Sequence, residues 1–330
     1  MPAGVSVVIP LYNKGQYIGR AVESVRNQTF RDSEIIVVDD GSTDDGPAVV
    51  EGIGDPRIRI ISQKNSGVSA ARNRGVRIAG SDFVAFLDAD DEWTPVHLET
   101  LLKLRREYPG AGMYSTAHQI MDYSGTLRTP GYRAIPPPPW EGLLPGFFRS
   151  IATGEYPVNA SVAGIPRGIF LEFGGFPEGM WWGEDLDLFG RIALKYPVAF
   201  SWTIGAIYHH DTAHRASNRL PALYEEPFVI TAKKEMGEGR VPPEMARDLM
   251  EVVARMELAR AQVNLKAGNR QAAGEILRNL ATREFRWKRR ELQLLALLPA
   301  FLTRSAWKAK RGFRALVLRK DYSRDPWLKD

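Results

Sequence analysis

The stretch FVAFLDADDE, Phe83 to Glu92, runs from an apolar segment into Asp88, Asp90, Asp91 and Glu92. Carboxylates this close repel, and each raises its neighbour's pKa unless a cation sits among them. The plainer reading is an acidic start to a helix opening near Thr94-Pro95, where negative charge suits the N-terminus. A cap, however, needs one carboxylate and not three. A second acidic group lies in GEDLDLFGR, Gly183 to Arg191. A carboxylate on a glycine-freed loop opening into a helix can take the proton of a hydroxyl, which is a poor nucleophile until a base does so. Glu184 and Asp185 are adjacent, so one of them is expected to stay partly protonated; charge complementarity at a helix start is the alternative. YHHDTAHRAS, Tyr208 to Ser217, holds three of the five histidines, His209, His210 and His214. Neutral imidazole is an acceptable but not a necessary ligand for a hard metal, and polar packing is the alternative.

The first hundred residues alternate between strand-length apolar runs and helical spacing. VSVVIPL (Val5–Leu11), EIIVVDD (Glu34–Asp40), RIRIISQ (Arg57–Gln63) and FVAFLD read as strands. The segments QYIGRAVESVRNQ, GSTDDGPAVVEGI, VSAARNRGVRIA and WTPVHLETLLKLRREY follow them as helices or their starts. This alternation argues for an α/β fold with a mainly parallel sheet covered on both faces. Polar residues gather where the strands end, the edge at which open α/β sheets bind ligands. No G-x-G-x-x-G follows the first strand, where PLYNKG stands instead, so a dinucleotide-binding dehydrogenase is set aside. AGMYSTAHQIMD is a further strand, AIPPPPWEGLLPG a proline-rich loop, and SVAGIPRGIFLEFGG a strand and short helix. From about Leu220 the sequence reads as helical, with a hairpin turning at Ala267–Asn269.

The totals narrow the class. The 330 residues are 44% hydrophobic and 25% charged and contain no cysteine, which excludes disulfides, thiolate metal sites and cysteine nucleophiles. We expect no signal peptide and no transmembrane helix, because no long apolar run is present. A cytoplasmic protein is the expectation. Charge is uneven: Ala281–Asp330 carries 14 Lys/Arg against 5 Asp/Glu, a net of +9, leaving 5 − 9 = −4 for the rest.

Taken together, VSVVIPLYNKGQYIGRAVESVRNQTF, EIIVVDDGSTDD, NSGVSAARNRG, FVAFLDADDEW and GEDLDLFGR resemble glycosyltransferase family 2, the inverting GT-A enzymes that use nucleotide sugars. The resemblance covers roughly Val5 to Ser217. It implies a GT-A (Rossmann-like) domain over residues 1–219, with a nucleotide-binding half to about 108 and an acceptor half over 109–219. Residues 220–330 then form a helical, basic C-terminal extension. The resemblance further implies a nucleotide-sugar pocket shaped by Pro10, Tyr12, Asp40, Asn65, Arg72, Asp88 and Ala89. In it, Asp40 accepts from a ring N–H, which favours uracil or thymine, and Arg72 reaches the base or the diphosphate. The D-x-D motif Asp88-Ala89-Asp90 supplies Asp88 and Asp90 to Mn²⁺ or Mg²⁺, with Asp91 assisting and His209 or His210 completing the site. Such a hard cation bridges carboxylates to phosphates and would offset the repulsion noted above. Asp185, paired with Glu184, is the implied base. Trp181 and Trp182 offer faces to a sugar or lipid, or simply pack. Arg215 is placed to hold phosphate.

The expected activity is metal-dependent transfer from a UDP-type donor to a saccharide or lipid-linked acceptor in cell-envelope glycan assembly. The alternatives are a dTDP- or GDP-sugar donor, or a nucleotide-binding scaffold of the same fold without turnover. The basic tail, interleaved with Trp, Phe and Leu, suits an interfacial helix at the inner face of an anionic membrane, or else a solvated helical cap. No nucleic-acid recognition motif accompanies it.

Overall fold

The computed structural model describes residues 4–180, 182–210, 212 and 224–298. The first strand, β1 (Val5–Leu11), is buried along almost its whole length, which explains its unbroken apolar run: helices cover both faces. It pairs in parallel with β2 (Ser33–Asp39) on one side and β4 (Phe83–Phe86) on the other, and β2 pairs in parallel with β3 (Ile58–Ser62). The helices between these strands are α1 (Gly15–Arg26), α2 (Gly46–Gly52) and α3 (Val68–Ile78).

Beyond β4 the sheet becomes mixed. β5 (Glu92–Trp93) precedes α4 (His97–Glu107), so the helix read as opening at Thr94-Pro95 begins slightly later, and Trp93 is in a strand. Then come β6 (Met113–Met121), β7 (Leu127–Arg128), β8 (Glu141–Leu143), α5 (Phe147–Thr153), β9 (Ala163–Pro166), α6 (Arg167–Glu172), α7 (Glu184–Ala193) and β10 (Val198–His209). The strand order is β3-β2-β1-β4-β9-β6-β10-β5, with β7 on β6 and β8 on β10. β9 runs antiparallel to both β4 and β6, and β6 runs parallel to β10.

Alternate residues of β1 feed two cores. Val5, Val7, Ile9 and Leu11 face Ile18, Val22 and Val25 of α1 and share a core with Leu98, Leu101 and Leu104 of α4. Val8 joins Ile36, Phe86, Val76 of α3 and Leu188, Phe189 and Ile192 of α7 on the opposite face. The C-terminal helices are α8 (Pro227–Gly237), α9 (Pro243–Ala267), α10 (Arg270–Asn279) and α11 (Arg286–Leu297). Phe228, Val229 and Ala232 of α8, with Leu249, Val252 and Met256 of α9, belong to the same core as α7. The far half of α9 forms its own small core with α10 and α11, through Leu258, Leu265, Leu277 and Leu292. The hairpin turns at Gly268, which is left-handed with φ 89°, as a helix terminus of this kind requires. Among the described residues, no helix is long and apolar enough to cross a membrane.

Candidate active site

The loops after β1 and β2 are tied to each other. Asn13 donates its N–H to Ser42 Oγ at 3.1 Å and accepts from Thr43 N at 2.8 Å, while Gly15 N donates to Asp44 at 2.7 Å. Asp39 accepts from Ser42 N at 2.9 Å. Asp40 accepts from Gln63 Nε2 (2.7 Å), Ser66 N (2.8 Å) and Gly67 N (2.8 Å). Within DDGSTDD, Asp44 Oδ1 accepts from Gly46 N at the start of α2 at 3.1 Å, while Asp40 latches the loop after β3 against the end of β2. Pro10 is partly buried and Asn65 exposed. Tyr12 is 48% exposed, so it is no core residue and its ring stands open on this edge.

The acidic cluster after β4 divides into unlike parts. Asp88 accepts from Arg72 Nη2 at 2.5 Å. Asp90 accepts from Lys14 Nζ at 2.6 Å and Thr212 Oγ1 at 3.1 Å, and Arg20 donates to its carbonyl. Ala89 is buried. Asp91 is wholly buried, accepting from Ser161 Oγ at 2.5 Å and from His209 N at 2.9 Å. Burial, then Asp90 and Asp88, pushes the Asp91 pKa well above the usual carboxylate range. Asp91, expected from sequence to assist a metal, ties the strand end to Ser161 and to the backbone of β10. None of these carboxylates caps α4, whose N-terminus has no side-chain cap. The repulsion is offset by Lys14 and Arg72 and by the protonation favoured at Asp91.

Arg72 is buried rather than a surface cation. Its Nη1 donates to Glu184 Oε1 at 2.8 Å while Nη2 holds Asp88, and its guanidinium lies 5.1 Å from the Phe176 ring centre. Burial works against its charge, but Asp88 and then Glu184 outweigh burial and leave its pKa raised. The side chain expected to reach base or diphosphate therefore bridges the β4 strand end and the loop before α7.

That loop presents Glu184 and Asp185 through Gly183, left-handed at φ 74°. Asp185 is partly open to solvent, accepts from Leu186 N at 2.7 Å, and has its pKa pushed up to about 7 by burial and then by Glu184. Asp187, later in the same motif, is structural: it accepts from Thr231 Oγ1 at 2.6 Å and Arg191 Nε at 2.8 Å. Sequence reading missed Glu226. It accepts from Trp182 Nε1 at 2.7 Å, and its pKa is raised to about 7 by burial, opposed by that hydrogen bond and reinforced by Asp185 and Glu184.

Neither histidine expected from sequence to complete a metal site with Asp88 and Asp90 is grouped with them. His209 Nε2 is 2.9 Å from Glu92 Oε1, and His210 packs edge-on to Tyr208 with ring centres 5.1 Å apart. Among the described residues, no three His, Asp or Glu side chains form a group able to hold a metal. Asp88 and Asp90 nevertheless suit a hard cation. Both are partly open, at 29% and 20% side-chain exposure, and Lys14 shows that a positive charge is accommodated at Asp90. His214, Arg215 and Trp181 lie outside the described residues.

Residues 6–149 match the Glycosyl transferase family 2 model. The chain carries a glycosyltransferase family 2 domain. The chondroitin synthase of Escherichia coli is 41% identical to the chain over 131 residues, 39% of this chain and 19% of that protein. The putative glycosyltransferase EpsH of Bacillus subtilis is 32% identical over 152 residues, 46% of this chain and 44% of that one. The chain thus spans less than half the length of these two relatives. The fold agrees with that of S. aureus TarS 1-349, solved in complex with UDP-GlcNAc, at TM-score 0.67 and 18% identity, covering 94% of this chain and 92% of the other. It also agrees with the mannosyltransferase PcManGT of Pyrobaculum calidifontis, solved with GDP-Man and Mn²⁺, at TM-score 0.59 and 18% identity, covering 97% and 89%. The architecture is the expected GT-A type with C-terminal helices. Glu184, Asp185 and Glu226 all lie beyond the residues matched by the family 2 model.

Proposed function

We propose that the protein is an inverting, metal-dependent glycosyltransferase moving a sugar from a nucleotide diphosphate donor, of UDP type, to a saccharide or lipid-linked acceptor in cell-envelope glycan synthesis. The observation that carries this reading is the Arg72 bridge. One buried guanidinium ties Asp88, at the D-x-D motif, to Glu184, beside the base. Donor and acceptor halves are thereby held at a fixed distance, which an in-line displacement requires.

In this reading Asp185 takes the acceptor hydroxyl proton. Its pKa near 7 matches a base working close to neutrality. The acceptor oxygen bonds to the anomeric carbon as the bond from that carbon to the diphosphate oxygen breaks, with inversion, and the electron pair leaves with the diphosphate. Lys14, at Asp90, adds positive charge on the donor side. Mn²⁺ or Mg²⁺, held by Asp88 and Asp90, would neutralise the leaving diphosphate. Tyr12 and Pro10 would border the base. Asp40 has three of its acceptor sites taken by protein donors, leaving one lone pair on Oδ2 for a ring N–H. A GDP-linked donor is the alternative, since one structural neighbour holds GDP-Man.

We assign the C-terminal helices to contact with an anionic membrane: α11 exposes Trp287, Leu294 and Leu297 in a segment rich in arginine. A thermal-shift screen of nucleotide sugars with and without Mn²⁺, followed by an assay for nucleotide release, tests the enzyme reading. A donor that binds only the native state raises the melting temperature. No shift and no nucleotide release with any donor would sink it.

A further inference from the structure

We propose that Glu226 is a positioning residue of the acceptor site, clamping Trp182 and Gly183 and so setting the angle at which Glu184 and Asp185 are presented. The inference rests on the transferase reading for its catalytic consequence but not for the clamp itself.

The clamp is made at three points. Trp182 Nε1 donates to Glu226 Oε1 at 2.7 Å. Tyr224 Oη donates to the Trp182 carbonyl at 2.6 Å. The other carboxylate oxygen of Glu226 lies against Gly183, where an added Cβ would come within 2.1 Å of it. Gly183 is therefore required twice, for its left-handed φ of 74° and for the space Glu226 fills. The loop is thus gripped through its side chain, its carbonyl and its one residue without a side chain, directly before the base.

The gripping segment is itself fixed. Val229 N donates to the Glu226 carbonyl at 2.9 Å, fixing Glu226 at the N-cap of α8. Phe228 packs on Gly190 of α7 so closely that a Cβ there would meet its ring at 2.1 Å, and Thr231 holds Asp187. The α7–α8 pair therefore behaves as one unit, and Glu226 projects from it onto the loop. A carboxylate half-buried at this position costs stability unless its hydrogen bonds are worth keeping; holding the base in place is the function that the geometry supplies. The helices after the family 2 match are then part of the catalytic apparatus.

The test uses the full chain, the single variants Glu226→Ala, Glu226→Gln and Trp182→Phe, and the double variant that combines Glu226→Ala with Trp182→Phe. Hydrogen exchange of the peptide spanning residues 182–190 reads the clamp without needing any activity. Glu226→Ala and Trp182→Phe should each speed exchange there about tenfold. Glu226→Gln keeps an oxygen for the indole N–H and should stay close to the parent. Transfer assays read the consequence: acceptor kcat/KM should fall about 10- to 100-fold in Glu226→Ala, with donor affinity by calorimetry unchanged and most of the loss restored in Glu226→Gln. Removing both partners should cost no more than the worse single change. Unchanged exchange in Glu226→Ala, or Glu226→Gln as impaired as Glu226→Ala, would overturn the clamp. If the parent protein transfers no sugar, the functional reading fails while exchange still decides the clamp.

Discussion

The two acidic groups of the site are built on opposite principles. After β2 and β4, Asp40, Asp88 and Asp90 are met by backbone N–H groups, Lys14 and Arg72. At the loop before α7, Asp185 and Glu226 are partly buried beside other carboxylates with Arg72 the one cation that pairs there among the described residues, and both pKa values rise to about 7. The first arrangement suits groups that hold something cationic. The second suits a group that exchanges a proton near neutral pH. In the proposed reading, donor and acceptor chemistry are separated by how many donors each carboxylate is given.

The contrast breaks hardest at Asp185. Asp185→Asn should lower transfer about 10³-fold while donor affinity stays, within the range general-base removal produces. The same change should stabilise the fold at pH 8. Between the ordinary Asp value of 3.8 and about 7, the folded chain holds more protons at Asp185 than the unfolded chain does. Stability from this group is therefore present at low pH and lost as pH rises through that window. His97 works oppositely: buried and held at about 3, it costs stability as pH falls below its ordinary 6.5. A melting-temperature series from pH 5 to 8 should show a flatter fall toward alkaline pH in Asp185→Asn than in the parent. In the parent, transfer should drop about tenfold per pH unit below 7. A rate independent of pH from 5 to 8 would remove Asp185 as the base.

Arg72 is where the two arrangements meet, and Arg72→Met should leave Asp88 and Glu184 without their cation. Breaking a buried pair from one side costs about 3–5 kcal/mol, measurable by urea unfolding. A loss below about 1 kcal/mol would place Arg72 among surface pairs and undo the bridge. Donor-side loss should be milder. Asp90→Ala should reduce transfer about 100-fold, comparable to removing one group that stabilises developing charge, and EDTA should reproduce it in the parent. Undiminished, EDTA-insensitive transfer would end the metal reading.

How much of this was legible follows from the same contrast. The strand-end carboxylates are spelled out because each closes an apolar run, and the four runs share one edge. What the spelling did not disclose is who answers each charge. Lys14 stands in PLYNKG, two residues past Tyr12, yet its reach to Asp90 depends on β1 and β4 being neighbours. Arg72 was visible, but its burial between two carboxylates is a tertiary fact. β10 was missed outright: Ser201, Trp202, Thr203 and Gly205 interrupt its apolar pattern, and its register shifts between Ser201 and Ala206. Glu226 carries no local signal, since a Glu before a helix-opening proline reads as an ordinary start. Only the packing of α8 on α7 brings it to Trp182 and Gly183.

The smallest effect on stability is expected farthest from the site, on α11. Trp287 is 66% exposed and Leu297 77% exposed, so replacing both with Ser should change unfolding free energy by no more than about 0.5 kcal/mol. A solvated helix cap would tolerate that change as well, since the buried Leu292 anchors α11 in either role. A membrane-facing side would tolerate it and lose function elsewhere. Co-sedimentation with vesicles should therefore fall several-fold in the double variant, and in the parent should favour anionic over neutral lipid because the surrounding arginines add about 1 kcal/mol each near a charged surface. Equal binding to neutral and anionic vesicles would remove the electrostatic part, and no binding at all would return α11 to the role of a cap.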